Sequence, residues 1–356
     1  MEIKIDFHWQ LTQHGKPHHI DDILFQMLEA IQQEGSLKQA TEKLGVSYRF
    51  AWGLLNKWEA LLGQPLVILE RGRGARLAVV GEKLMHANRH LSASFSPELD
   101  NFSTELKREF EAILDHSPRD TFKIFTSHGL AVGALKELID QQSDFLLDLH
   151  FHGSQESLKA LKAGDCHIAG FHLPIGELKR HLMIDYLKLL DEKQHQLIYV
   201  VRRNQGLMVS RDNPKQINDI RSLTMDGVTF INRQMGSATR TLFDQLLAAH
   251  HISSDEIKGY SHEEFTHMAV AAMVASGAAD IGFGIAPIAD KFNLEFIPLV
   301  WEHYCLVVPQ LLVDDPRVQA IISLLKSDAF HRKVRDFKGY DTARSGELVS
   351  FDEIFT

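Results

Sequence analysis

The stretch Gly35 to Val67, GSLKQATEKLGVSYRFAWGLLNKWEALLGQPLV, decides how the chain is read. Leu37, Ala40 and Leu44 fall on one helical face, with Ser36 placed to cap the helix start. Gly45, Val46 and Ser47 break the period, and Tyr48 to Leu62 resumes it with Phe50, Leu54, Leu55, Trp58 and Leu62 on one side. Before this pair, Ile20, Leu24, Met27, Leu28 and Ile31 set out another helix that stops at Gly35. Three helices with a tight turn between the last two have helix-turn-helix spacing. After Gly63 and Pro65, the runs Leu66 to Leu69 and Arg76 to Val80 read as strands around Arg71, Gly72, Arg73 and Gly74, the basic tip of a wing.

Outward from this module, Gly81 to about Asp115 is helical, with Leu84, Leu91, Leu99, Phe102, Leu106 and Phe110 among alternating charges and an interruption expected near Ser96 and Pro97. Such an apolar stripe either pairs with a second copy, as a homodimer or a dimer of dimers, or packs on its own domain. His116 to Asp120 reads as a linker. Beyond it, strands alternate with helices: Thr121 to Phe125, Leu146 to Phe151, His167 to Phe171, Leu197 to Val201, Val228 to Ile231, Asp280 to Phe283 and Cys305 to Val308. That alternation predicts a mostly parallel sheet flanked by helices. Small or polar pairs, Ser127 with His128, Gly153 with Ser154 and Gly236 with Ser237, stand where strands give way to helices. Helix N-termini at strand ends are anion-binding places in α/β sheets.

Composition narrows the function classes. The chain has 356 residues, 44% hydrophobic and 24% charged, which excludes disordered, collagenous and coiled-coil classes. No apolar run reaches the length of a membrane span, and the amino terminus lacks a signal-peptide core, so a cytoplasmic protein with no membrane partner is expected. Cys166 and Cys305 are too few for a disulfide framework and lack zinc-site spacing. The net charge of -9 argues against a chain that coats nucleic acid along its length. Locally, however, Lys38, Lys43, Arg49, Lys57, Arg71, Arg73 and Arg76 face only Glu42, Glu59 and Glu70, so a basic module sits within an acidic chain.

The Gly35 to Val67 stretch resembles the N-terminal DNA-binding domain of the ModE family of molybdate-responsive regulators and, more distantly, that of LysR-type regulators. The resemblance implies that double-stranded operator DNA is a partner and that Ser47, Tyr48 and Arg49 lead a recognition helix in the major groove. The chemistry agrees, because Arg can donate two bonds to guanine and hydroxyls can reach phosphates. Lys38, Arg71, Arg73 and Arg76 are candidates for phosphate or minor-groove contact, and Trp52 is expected in the core.

From about Phe122 onward, the segments TSHGLAV, HGSQESLKALKAGDCHIAGFHLP, RNQGLMV, FINRQMGSATR, EEFTHMAVAAMVASGAADIGFG and GYDTARSGE together resemble the two-lobed periplasmic-binding-protein-like domain. The expected architecture is a winged helix-turn-helix over 1–80, a linker helix and linker over 81–120, and a type II periplasmic-binding-protein-like α/β domain over 121–356. Within that domain the first lobe takes 121–200 and 303–356, the second takes 201–302, and crossings fall near Val200 to Gln205 and Val300 to Tyr304. Ser127, His128, Gly153, Ser154, His172, Asn232, Arg233, Gly236, Ser237, Thr239, Arg240, Thr266 and His267 are the candidate effector-binding residues. In FINRQMGSATR, Gly236 permits close backbone approach while Ser237, Thr239 and Arg240 offer O–H, N–H and guanidinium donors to an anion. An ordinary capped helix with a surface Arg is the plain alternative.

Asp148, His150 and His152 share one strand face, but this falls short of a convincing metal set, and no metal is expected. No nucleophile elbow, phosphate loop, HExxH helix or dinucleotide fingerprint is present in the sequence, so no catalytic residues and no catalytic cofactor are expected. These readings combine into a DNA-binding regulator sensing a small anion: molybdate or tungstate by resemblance, or else formate or another small carboxylate. A molybdenum-cofactor-related binding, delivery or enzyme protein is the alternative of another class.

Overall fold

The computed structural model describes residues 3–70, 74–114, 121–127, 129–143 and 145–356. They divide into two compact units, one from Asp6 to Ala93 and one holding Ser94 to Thr356, so the division falls inside the helix expected to follow the wing.

The first unit opens with a hairpin absent from the sequence reading, β1 (Trp9–Gln13) and β2 (Lys16–Ile20), turned by His14 and Gly15 in the left-handed region. Its Trp9 ring packs on Phe25, and the indole N–H donates to Asn88 Oδ1 at 2.9 Å. Helices α1 (Asp22–Glu34), α2 (Leu37–Leu44) and α3 (Tyr48–Leu62) follow. The Ser36 and Ser47 hydroxyls accept from the amides of Gln39 and Phe50, so each serine ties down an otherwise unpaired N–H at a helix start. Ala51, Leu54, Leu55 and Trp58 of α3 bury against Leu24, Leu28 and Ile31 of α1. The strands β3 (Val67–Glu70) and β4 (Gly74–Leu77) pair antiparallel as the wing. Glu59 accepts from the amides of Leu66 and Val67, and the Ala75 amide donates to the Gly35 carbonyl at 2.7 Å, fixing the wing to the turn between α1 and α2. Gly74 has φ +96° and lies so close that a Cβ there would be 2.1 Å from the Gly35 oxygen. The next helix, α4 (Val79–Leu114), continues unbroken through Ser96 and Pro97, where an interruption is expected from the sequence. The expected linker His116 to Asp120 lies outside the described residues.

The second unit is a two-lobed α/β domain on one mixed sheet. Its first strands and helices are β5 (Thr121–Thr126), α5 (Leu130–Gln142), β6 (Leu146–Phe151), α6 (Ser154–Ala163), β7 (Ile168–Pro174), α7 (Arg180–Leu187) and β8 (His195–Val209). The middle holds β9 (Phe230–Arg233), α8 (Ala238–Ala249), β10 (Glu263–Glu264), α9 (His267–Ala275), β11 (Ile281–Ile285), α10 (Ala286–Lys291) and β12 (Glu295–Pro309). The chain ends with α11 (Pro316–Lys326), α12 (Asp328–Arg335), β13 (Tyr340–Asp341), β14 (Leu348–Val349) and α13 (Phe351–Phe355). Strand order is β10-β9-β11-β8-β12-β7-β5-β6, with β13 and β14 added on β8.

Two expected strands, Leu197 to Val201 and Cys305 to Val308, are only the ends of β8 and β12, fifteen residues each. These antiparallel strands run through both lobes, with register shifts between Pro298 and Val300 and between Tyr304 and Cys305. β5, β6 and β7 are parallel in one lobe, and β9, β10 and β11 in the other. In the first lobe Ile198, Val200 and Leu306 bury against α5, α11 and α12, whereas Phe171, Val307 and Cys305 bury toward α6, α7 and α13. In the second, Phe230, Phe243 and Phe283 fill one face while Ile231, Val270 and Ile288 fill the other.

Trp58 is fully buried where α3 meets the rest of its unit. Trp58→Ala is expected to cost that unit about 3–5 kcal/mol, read as an earlier denaturant transition of the unit with the second unit's transition unchanged.

Candidate functional site

The first unit exposes one face of α3. Tyr48 is 50% and Trp52 44% exposed, with Arg49, Asn56 and Lys57 alongside. Trp52 therefore does not join the core as expected: Trp58 occupies it, on the stripe shared with Ala51, Leu54 and Leu55, and Trp52 falls outside that stripe. Phe50 is likewise exposed. Ser47 is the cap of α3, so its hydroxyl already holds the Phe50 amide. Lys38 is exposed beside Glu42, and Arg76 is exposed on β4. Arg71 and Arg73 lie outside the described residues.

In the second unit, β5, β6, β9, β10 and β11 are each followed within a few residues by a helix start. On the first lobe, Ser127 Oγ lies 3.0 Å from His172 Nδ1, and the His172 amide donates to Ser154 Oγ at 3.3 Å. The His172 ring stacks on Tyr304 at 4.2 Å, and the Tyr304 hydroxyl lies 2.5 Å from Thr126 Oγ1. Gly170 makes this packing possible, since a Cβ there would sit 2.0 Å from that Thr126 oxygen. Burial, with the Arg203 charge nearby, pushes His172 well below the usual imidazole range. It is therefore neutral, and its buried Nε2 has no hydrogen-bond partner. His128 lies outside the described residues, and Gly153 donates its amide to Glu156.

Sequence reading missed the centre of the site. Arg203, on β8 where the lobes meet, is buried and bonded to Glu302 of β12, whose other oxygen accepts from Gln205 Nε2 at 2.7 Å. A Cβ on Gly129, just before α5, would lie 3.8 Å from Arg203 Nη1, so the guanidinium reaches the start of that helix. The one available signal was a pair of arginines interrupting an apolar strand at the expected crossing.

On the second lobe, the Ser237 and Thr266 side chains cap α8 and α9 by accepting from the amides of Arg240 and Ala269. Gly236 has φ +86°, and Thr239 Oγ1 lies 3.4 Å from His267 Nε2. Two candidate residues serve the lobe itself. Arg240 is enclosed by Asp244, Glu263 and the Arg233 carbonyl and stacks over Tyr260 at 4.2 Å, so its charge is already matched and is not presented to an anion. Asn232 donates to the Tyr260 carbonyl and accepts from the Arg233 amide. Arg233 differs: its guanidinium donates to the Gln234 side-chain oxygen and to the Phe265 carbonyl, both neutral. Burial and the nearby Arg203 hold its pKa down at about 10. No group of three or more His, Cys, Asp or Glu side chains that could hold a metal occurs among the described residues. No helix of the described residues is long and apolar enough to cross a membrane.

Two lobes joined by two long crossing strands, with helix starts facing the junction, have the form of a binding protein. Residues 135–326 match the PBP superfamily domain, more than half of the chain. The chain belongs to that superfamily. Uncharacterized protein YvgK of Bacillus subtilis is 31% identical over 199 residues, 56% of this chain and 64% of that protein. Molybdenum transport protein ModE of Azotobacter vinelandii is 30% identical over 91 residues, 24% of this chain and 34% of that protein. The chain thus spans less than two thirds of the length of either relative. Among solved structures, the Corynebacterium glutamicum OxyR C206 mutant aligns with a TM-score of 0.43 at 15% identity, covering 88% of this chain and 93% of that one.

The PBP domain also makes a prediction about acid. Burial, followed by the charges of Arg344, Lys179 and Arg202, lowers His303 to about 4 while its Nδ1 lies 2.9 Å from the Tyr199 hydroxyl. An unfolded histidine takes up its proton near pH 6.5, so the stability this group provides is complete above that pH and declines as pH falls toward 4. His303→Gln should flatten the decline of the melting temperature between pH 6.5 and 4, and an unchanged slope would refute the assignment.

Proposed function

We propose that the chain is a one-component transcriptional regulator, a binding protein and not an enzyme, that reads operator DNA with α3 and the wing and senses a small anion in the PBP cleft. The observation that carries this reading is the α3 face, where Tyr48, Arg49, Trp52, Asn56 and Lys57 stand exposed on a capped helix backed by a buried core. A helix so mounted presents its leading residues to base edges in the major groove. Ser127, the free edge of His172 and the starts of α5, α8 and α9 supply the donor-rich cleft. Molybdate or tungstate, in molybdenum or tungsten enzyme metabolism, is the effector favoured by the likeness to a molybdenum transport protein. Formate or another small carboxylate is the alternative. An effector of either kind acts through its different affinities for open and closed lobes.

We also propose that the protein works as a dimer through α4. Phe102, Leu106, Phe110 and Ile113 are exposed along it at helical spacing, an apolar stripe suited to pairing with a second copy.

Arg49→Ala is expected to weaken operator binding by about 1–3 kcal/mol and to relax base preference, whereas Lys57→Ala should weaken all sequences alike and reduce the salt slope. Gel shifts at several salt concentrations against operator and scrambled duplex decide it; equal losses on both duplexes for Arg49→Ala would count against base reading. In sedimentation velocity, Phe102→Glu should convert dimer to monomer, and a persistent dimer would refute pairing through α4.

A further inference from the structure

Arg203 stands within β8 where the two lobes meet, Arg233 ends β9, and Arg240 lies in the first turn of α8. Glu302 neutralises the first and Asp244 with Glu263 the third, which leaves Arg233 as the one of these three without a carboxylate. Among the described residues the site thus offers one unmatched guanidinium, which is suited to one negative charge, and a second would enter without a counter-charge.

Gln205 adds a second requirement. It is 1% exposed, and Glu302 fixes its amide, because the carboxylate accepts from Nε2. Its Oε1 is therefore a bare acceptor, buried and without a donor. In register Gln205 lies opposite Ile285, the last residue of β11, which places it level with the strand ends from which α8, α9 and α10 start. A buried carbonyl in that state is satisfied by an O–H or N–H, which a fully deprotonated tetrahedral oxyanion does not have.

The third requirement is apolar. Met235 is 80% and Phe265 65% exposed, and they stand at neighbouring turns, just after the paired strands β9 and β10 and just before the caps of α8 and α9. Arg233 is bonded to the Phe265 carbonyl, so the unmatched cation and the apolar rim belong to one place.

From these three features we infer that the cleft takes an organic monoanion, a carboxylate with an adjacent hydroxyl or amino donor and an apolar body, in preference to a tetrahedral dianion. The carboxylate faces Arg233, the donor faces Gln205 Oε1 and the apolar body lies against Phe265 and Met235. This inference rests on the reading of the cleft as the effector site and decides between the two effector classes that reading allows.

Calorimetric titration of the full chain with acetate, lactate, 3-phenyllactate and molybdate separates the requirements, since the probes add in turn a charge, a donor and an apolar body, or replace them with a dianion. Lactate should bind about tenfold tighter than acetate, and phenyllactate about tenfold tighter again. Arg233→Gln should abolish binding of all three carboxylates, Gln205→Leu should bring lactate to the level of acetate, and Phe265→Ala, a surface change that leaves folding intact, should bring phenyllactate to the level of lactate. An unchanged melting transition of the second unit checks that each variant is folded. Molybdate binding tighter than phenyllactate, or lactate no tighter than acetate, overturns the inference and leaves the cleft reading standing. Silence from all four probes overturns both.

Discussion

The pair formed by Arg203 and Glu302 is the constraint on which the two-lobed unit depends. Both side chains are buried, on facing residues of the two strands that pass between the lobes. Removing two ions from water is costly, and in the interior only close geometry with further hydrogen bonds offsets it. Gln205 supplies one such bond to Glu302, and Tyr340, on the added strand β13, lies opposite Arg203 in register. A one-residue slip between β8 and β12 would move Arg203 to the opposite face and leave Glu302 alone in the core, so the pair sets the register of the sheet. Two register shifts lie within four residues of Glu302, which is where a long ladder most needs such a pin.

The site inherits this register. With Glu302 fixed, Tyr304 two residues on falls opposite His172, where the two rings stack and the Tyr304 hydroxyl meets Thr126 at the end of β5. Ser127, one step further, then holds the His172 ring through Nδ1, leaving Nε2 as its one uncommitted edge. The polar groups at the strand ends are thus oriented by the packing behind them before any ligand arrives, the preorganisation that lowers the cost of binding. The second lobe repeats the device with different chemistry: Arg240 joins Asp244, Glu263 and Tyr260 into a scaffold, and the backbone turn it supports presents Arg233.

Much of the fold was legible because it rests on local periodicity. The helices over Asp22 to Leu62 each carry a clear stripe and a small or capping residue at their ends, and the wing follows from two short β-rich runs around glycines. What was illegible depends on partners distant in sequence. The hairpin β1–β2 reads as polar sequence, and Trp9 gains its burial from Phe25 and Asn88. The strands β8 and β12 were cut short because Arg202 to Gln205 and Glu302 to His303 look like breaks in an apolar run, when it is their mutual pairing that keeps them in the sheet. Trp52 shows the limit of residue type as a guide, since a large aromatic was assigned inward while helical phase places it outside the buried stripe. Arg240 shows the same limit for charge: a guanidinium at a helix start has the same pattern whether its partner is a ligand or, as here, the carboxylates of its own lobe.

A link between the cleft and the long helix follows from one side chain. β6 is the edge strand of its lobe, and the open edge of a strand leaves backbone groups to be satisfied. Asn101 of α4 meets both at Phe151, accepting from its amide at 2.8 Å and donating to its carbonyl at 3.2 Å. Phe151 is the last residue of β6, and three residues later Ser154 begins α6 and accepts from the His172 amide. A shift of this strand end on ligand binding would have to carry Asn101 with it or break two hydrogen bonds. α4 is thereby tied to the end of β6, and the same helix carries the apolar stripe on which the proposed pairing with a second copy rests. Coupling of this form needs only that the strand end have two discrete positions whose populations the ligand changes.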